Sequence, residues 1–262
     1  MDMWQQQTLN PHQEYCTQFG PLSLWVTKVD DEIHVGLQRN ADERTNALQG
    51  LTPSSDPPSS YQERSRWIVG EGTHPIQLLP CLPNRPVVVR TDLPVKIPAG
   101  KTAVFFVSIP LWLRLQTAKD PVTDLGEYPT VIRSNIWFGD VVSGELCYSL
   151  ISRARRNVED ADHPIYKAVC PVKIRNLSKE RLDIERFCVH VHHLSLYQGK
   201  HLLWTNEVTV TFHGKEAVSK LDYARKTPSF EKALTLVTPP RTPLKEKLLK
   251  RSLFSFVRQS DL

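Results

Sequence analysis

The segment Phe187-Cys188-Val189-His190-Val191-His192-His193 is the best metal candidate in the chain. Written as an extended strand, it turns Cys188, His190 and His192 to one face and Phe187, Val189 and Val191 to the other. Thiolate and imidazole are both zinc ligands. Three of them leave a fourth position free to activate water or to take a partner's side chain. The competing reading is an ordinary half-buried strand, with His190 and His192 on its solvated side.

A second concentration lies upstream, in Trp137-Phe138-Gly139-Asp140, Gly144-Glu145-Leu146-Cys147-Tyr148 and Arg153-Ala154-Arg155-Arg156. Here Trp137, Asp140, Glu145, Arg153 and Arg155 outline a candidate polar pocket. Asp140 and Glu145 would serve as an acid/base pair, and the arginines would clamp a carboxylate or phosphate. The competing reading places both acids at turns, paired with neighbouring arginines. HExxH, GxSxG, Walker-loop and GxGxxG patterns do not occur, which points away from the common hydrolases and nucleotide-binding enzymes.

The elements that must position these residues read as strands. Runs of five to ten residues rich in Val, Ile, Phe, Tyr and Trp are divided by Pro, Gly, Asn and Asp, and the 20 prolines cluster between them. In 201–213, Leu202, Trp204, Val208, Val210 and Phe212 alternate with polar residues, and Asn206 alone breaks the inward face. Tyr166, Ala168, Cys170, Val172 and Ile174 alternate with Lys167, Lys173 and Arg175, which predicts a strand with one wet side. Residues 22–28 and 32–38 form a hairpin joined at Asp30-Asp31. The expected fold is all-β, an antiparallel β-sandwich of about ten strands closed by a C-terminal amphipathic helix.

By composition, 1–20 reads as an N-terminal extension and 21–225 as the sandwich domain. Within it the Pro/Ser-rich stretch 40–65 reads as a flexible insertion, and 226–262 is a linker and basic tail. Residues 241–258 carry six Lys/Arg against one Glu, whereas 1–240 hold 27 basic and 26 acidic residues. The body therefore reads as nearly neutral, which argues against a dedicated nucleic-acid binder. In the tail, Leu244, Leu248, Phe256 and Val257 share a helical side, with Lys245, Lys247, Lys250 and Arg251 largely elsewhere. That pattern suits a protein partner's groove, an anionic membrane surface, or docking on the chain's own sheet.

The first residues show no signal-peptide pattern, and the longest apolar run, 103–113, is far short of the ~20 residues of a spanning helix. Five cysteines, without a CxxC pair, suit reduced thiols in a cytoplasmic protein. Cys147, Cys170 and Cys188 sit in apolar segments where a thiol behaves as a small buried hydrophobe.

Several strings, Arg85-Pro86-Val87-Val88-Val89-Arg90, 105–112, Trp137-Phe138-Gly139-Asp140, 144–150 and 203–207, resemble an uncharacterised prokaryotic family of domains of unknown function, over residues from about 66 onward. The resemblance implies a prokaryotic, cytoplasmic setting and assigns no activity. The function expected is a binding or accessory module whose basic tail meets a protein or anionic membrane. The alternative is a metal-binding protein, or a metal-dependent enzyme, built on Cys188, His190 and His192 and holding zinc.

Overall fold

The structure, a computed structural model, describes residues 4–243 except 140, 143, 152, 162 and 215–219. Among the described residues the regular structure is strand, with a single turn of 3₁₀ helix at Val191–His193 and no α-helix. The expected C-terminal helix, with Lys245, Lys247, Lys250 and Arg251, lies outside the described residues. No helix among those described is long and apolar enough to cross a membrane.

Two compact units are present, each assembled from separated stretches. The first takes the described residues up to Cys81, together with Pro110–Ile132 and Pro164–Tyr166; the second takes Leu82–Ile109, Arg133–His163 and the residues from Lys167 on. Composition divides the chain differently, giving one 21–225 domain, whereas the chain leaves each of these units and returns to it.

In chain order, the first unit opens with β1 (Glu14–Phe19), β2 (Leu22–Val29), β3 (Glu32–Arg39), β4 (Leu48–Pro53), β5 (Glu63–Ile68) and β6 (Ile76–Cys81). The second unit then supplies β7 (Val87–Ile97) and β8 (Thr102–Pro110). The chain returns to the first for β9 (Trp112–Thr117) and β10 (Asp124–Pro129). The second unit is completed by β11 (Asn135–Phe138), β12 (Glu145–Ser149), β13 (Lys167–Asn176), β14 (Leu182–Val189), β15 (Leu196–Gln198), β16 (Leu203–Thr205), β17 (Val208–Phe212), β18 (Lys220–Tyr223) and β19 (Thr235–Thr238).

Within the first unit the sheets run β4-β1-β2-β3-β5 and β10-β9-β6, all antiparallel. The hairpin at Asp30-Asp31 forms as expected, with Asp30 at the positive φ of 50° that a two-residue turn uses. Alternation in β2 sends Leu22, Leu24 and Val26 inward. Lys28 follows them, burying its stem while Nζ donates to the Asp30 carbonyl at 2.7 Å. The stretch 40–65 read as a flexible insertion contributes β4 and the start of β5, and 14–19 of the expected extension is β1. Composition hid both because their apolar content is low. The two stretches are joined by the Tyr61 hydroxyl, which donates to the Glu14 carboxylate at 2.5 Å.

The second unit has mixed sheets, not the purely antiparallel ones expected. One runs β11-β12-β7-β14, with β12 parallel to β7 and β14 antiparallel to it. The other runs β18-β17-β13-β16-β15-β19, with β8 also on β13, and β13 is parallel to both β16 and β17. As a central strand β13 is buried on both faces over its first six residues, Lys167 included, so the wet side expected there begins only at Lys173. The strand expected over 201–213 is two strands. Asn206 separates them, accepting a hydrogen bond from the Ser195 amide at 2.9 Å and donating to the Ala224 carbonyl.

One close contact in the first unit decides a residue type. Gly20 turns the chain between β1 and β2 at φ +60°, and a Cβ there would stand 2.2 Å from a ring carbon of the fully buried Tyr166. The Tyr166 hydroxyl is fixed by donating to the Glu43 carbonyl at 2.6 Å, so the ring has nowhere to go. Gly20→Ala is expected to lower unfolding free energy by about 2–4 kcal/mol through overpacking and a left-handed backbone. A urea midpoint matching that of the parent would show that this ring does not press on the turn.

Candidate functional site

Antiparallel pairing of β11 with β12 sets Ile136 opposite Cys147 and Phe138 opposite Glu145. Alternation then brings the Cys147 and Glu145 side chains onto the inner face of the sheet. There Cys147, Phe138, Val88 of β7 and Cys188 of β14 form one buried apolar cluster, flanked by Ile136. Cys147 and Cys188 are 0% and 1% exposed, and their sulfurs are 3.7 Å apart. Cys188 Sγ is 3.9 Å from Glu145 Oε1, and the Cys147 thiol donates to the Glu145 carbonyl at 3.6 Å. One ligand atom from each of Glu145, Cys147 and Cys188 lies within 4.8 Å of the other two.

The two cysteines do not stand on adjacent strands, because β7 runs between β12 and β14. Two strand spacings separate their backbones by about 9–10 Å. A disulfide needs Cα atoms within about 7 Å. What the pair does match is a shared cation: two thiolates at about 2.3 Å from a tetrahedral zinc stand about 3.8 Å apart.

His190 completes the outer side of the cluster, its Nε2 lying 2.6 Å from Glu145 Oε1. A carboxylate only accepts, so Nε2 carries a proton, and the buried Nδ1 has no hydrogen-bond partner. Interaction with the Cys147 thiol first, and burial second, raise the Cys188 thiol well above its ordinary value. A bound cation reverses that sense, because a coordinating thiol is deprotonated outright.

The alternation expected at 188, 190 and 192 stops at the end of β14, at Val189. Val191–His193 turn as 3₁₀ helix, so His192 does not continue the face of Cys188. Its ring instead lies edge-on to His190 at 5.7 Å and tilted against His193 at 4.1 Å, and His193 in turn meets Tyr223. The start of the tail is tied to this turn. Thr242 donates to the His192 carbonyl at 3.0 Å and accepts from His193 Nδ1 at 2.9 Å, while Arg241 donates to the Leu82 carbonyl at 2.6 Å.

Of the candidate polar pocket, Glu145 belongs to the thiol cluster and Trp137 lies on the opposite, outer face of the hairpin. Asp140 lies outside the described residues, so the pairing of Asp140 with Glu145 does too. Arg155 exchanges backbone hydrogen bonds with Phe106 of β8 at 2.8 and 3.0 Å. Arg156 stands over the Phe105 ring at 5.2 Å and donates to the Val104 carbonyl. Arg153 lies just before this bridge. Sequence reasoning missed Cys147, taken as a small hydrophobe, and gave Glu145 a different task. The signal that finds both is a pair of i, i+2 couples, Glu145-x-Cys147 and Cys188-x-His190, each setting two ligand types on one side of the chain.

The family model described as "Protein of unknown function (DUF432)" matches residues 3–257. The chain belongs to this family. The match reaches well upstream of residue 66, so both structural units of this DUF432 protein fall within it. No curated protein and no solved structure matches the chain.

Burial, then the charges of His193 and His190, push the His192 imidazole from 6.5 down to about 4. Between those values the unfolded chain takes up a proton that the folded chain refuses. The contribution is therefore fully present above pH 6.5 and is lost as pH falls toward 4. With solvent screening of this half-buried ring, the loss is about 1–2 kcal/mol. His192→Gln should flatten the stability profile in that window in urea titrations; an unchanged slope would place the ring in water.

Proposed function

We propose that this DUF432 protein binds one divalent transition-metal ion, zinc by its ligand chemistry, between the Cys147 and Cys188 thiolates and the Glu145 carboxylate. The observation that carries this reading is the 3.7 Å separation of two buried sulfurs on non-adjacent strands, with a carboxylate oxygen 3.9 Å away. Soft thiolates favour zinc, copper(I) and iron over magnesium or calcium, and a tetrahedral mixed set favours zinc. Three protein ligands leave one position for water or a substrate atom, the pattern of catalytic zinc sites. There a bound water is acidified, or a carbonyl or phosphoryl oxygen polarised. His190 holds Glu145 through its Nε2–H and so orients a ligand without being one; removing such a partner typically costs 10–100-fold in metal affinity.

The binding-module reading keeps one observation of its own: Arg241 and Thr242 tie the last described residues before the basic tail to the histidine turn. That supports a tail that engages a protein or anionic surface from beside the cluster.

Elemental analysis of the protein purified from zinc-supplemented medium should give one equivalent of metal. Cobalt substitution should give the near-ultraviolet charge-transfer band of thiolate coordination. Cys147→Ser, Cys188→Ser or Glu145→Gln should each abolish stoichiometric binding, His190→Ala should weaken it about 10–100-fold, and His192→Ala should leave it unchanged. Substoichiometric metal that is insensitive to the two cysteines would sink the proposal.

A further inference from the structure

We infer that Arg90 and Arg186 form a phosphate subsite beside the thiol cluster, which makes the substrate of the proposed metal site a small phosphorylated molecule. The substrate class rests on the metal reading above; the anion subsite itself does not need the metal.

Pairing of β7 with β14 sets Arg186 opposite Arg90, Phe187 opposite Val89 and Cys188 opposite Val88. Val88 and Cys188 belong to the buried cluster, so the arginines, two positions along each strand, follow on the same face. Arg90 is exposed and Arg186 half-buried. Like charges directly opposite one another destabilise a sheet, and an anion between them removes that cost. Among the described residues neither guanidinium stands in an ion pair. Arg186 lies over the Phe138 ring, 5.8 Å from its centre, on the cluster side of the sheet. A guanidinium so placed still directs its N–H donors outward from its edge.

The acids in the neighbourhood are engaged elsewhere or stand apart. Asp183 is held by Arg181 at 2.8 and 3.0 Å, and Glu145 by His190 at 2.6 Å. Glu185 is exposed and has no ion pair among the described residues. Asp140 and the side chain of Asp92 lie outside the described residues.

The backbone fixes where the two arginines stand. Register shifts between Ile184 and Arg186, and the Thr91 hydroxyl spans the shift, donating to the Ile184 and Glu185 carbonyls at 3.4 and 3.3 Å. The Arg90 carbonyl accepts from the Ala154 amide at 3.0 Å. Irregularities of this kind re-aim side chains beside functional sites.

Two guanidiniums call for two negative charges. A phosphate monoester carries about −1.5 to −2 at pH 7 and three acceptor oxygens, which suits two planar forks; a carboxylate offers one charge and two oxygens. Two residues of strand span about 7 Å. The phosphate therefore serves as a handle one small molecule's length from the thiols, with Phe138 common to both places.

The test titrates the full-length protein, metal-free and zinc-loaded, with inorganic phosphate at fixed ionic strength, following the heat of binding and the urea midpoint. Phosphate should bind both forms and raise the midpoint, and acetate should bind at least about tenfold more weakly. Arg90→Gln, at the exposed position, and an Arg90→Gln, Arg186→Gln double variant that circular dichroism shows to be folded should each lose at least about tenfold in phosphate affinity. Cobalt in the metal site should broaden the phosphorus resonance of bound phosphate; a resonance as sharp as in the zinc form would overturn the adjacency. Stoichiometric metal without phosphate binding, or phosphate binding that both variants retain, overturns the inference and leaves the metal reading standing. Arginine-dependent phosphate binding in a protein that takes up no metal upholds the subsite and removes the metal reading alone.

Discussion

The second unit is organised by β7, which pairs in parallel with β12 on one side and antiparallel with β14 on the other. A parallel partner cannot be supplied by a tight turn; it needs a crossover. Here the crossover from β7 to β12 takes the chain out through β8, across the first unit as β9 and β10, and back through β11. That route brings residue 147 to within a sulfur contact of residue 188. It also makes the strand carrying Val88 the floor over which the two thiols meet. The cluster of two cysteines, a glutamate and a histidine is in this sense a consequence of strand order.

Local pattern therefore carried the element type and not the assembly. The alternation Leu22, Leu24, Val26 and the Asp30-Asp31 junction are local, and the hairpin they announce is present. The run 201–213 is equally periodic, yet Asn206 turns the chain because its amide finds partners at Ser195 and Ala224, neither visible from spacing. The same holds for β13, where the pattern of Lys167 against Ala168 says one wet face and three flanking strands say otherwise. At the site, Cys188 and His190 were legible as a couple and Glu145 as a titratable group in a cluster. Their meeting was not, since it depends on which strand lies between β12 and β14. His192 failed for a local reason: period-two reasoning holds only while the chain stays extended, and β14 ends at Val189.

Charge was misleading in a similar way. Along the sequence the basic excess collects in the tail, and everything before it balances. Sorted by structural unit up to residue 243, with 7 basic and 13 acidic residues in the first and 21 and 13 in the second, the balance is a cancellation between stretches that alternate along the chain but belong to different units. An electrostatic field is set by what is near in space, and the second unit carries a net positive charge even without the residues after 243. The tail then adds like charge to a unit that is already basic, and its first residues, Arg241 and Thr242, are held by that unit.

The thiol cluster and the exposed Trp137–Leu146 pair share one short strand. β12 begins at Glu145, immediately after the turn, and its side chains alternate: Glu145 and Cys147 inward with Phe138 and Ile136, Leu146 outward with Trp137. A slip of one residue in the β11–β12 register would exchange the two sets, exposing a buried thiol and burying a tryptophan against the histidine. The register is pinned by the close approach of Gly139 and Gly144 at one end and by Tyr148 opposite Asn135 at the other, each under an arginine contact. Because Glu145 is both the first residue of β12 and a carboxylate 3.9 Å from the Cys188 sulfur, anything that bends the end of the hairpin moves a member of the thiol cluster. Inner and outer faces of a five-residue strand are thus one object, and neither set of side chains can be shifted in register without the other.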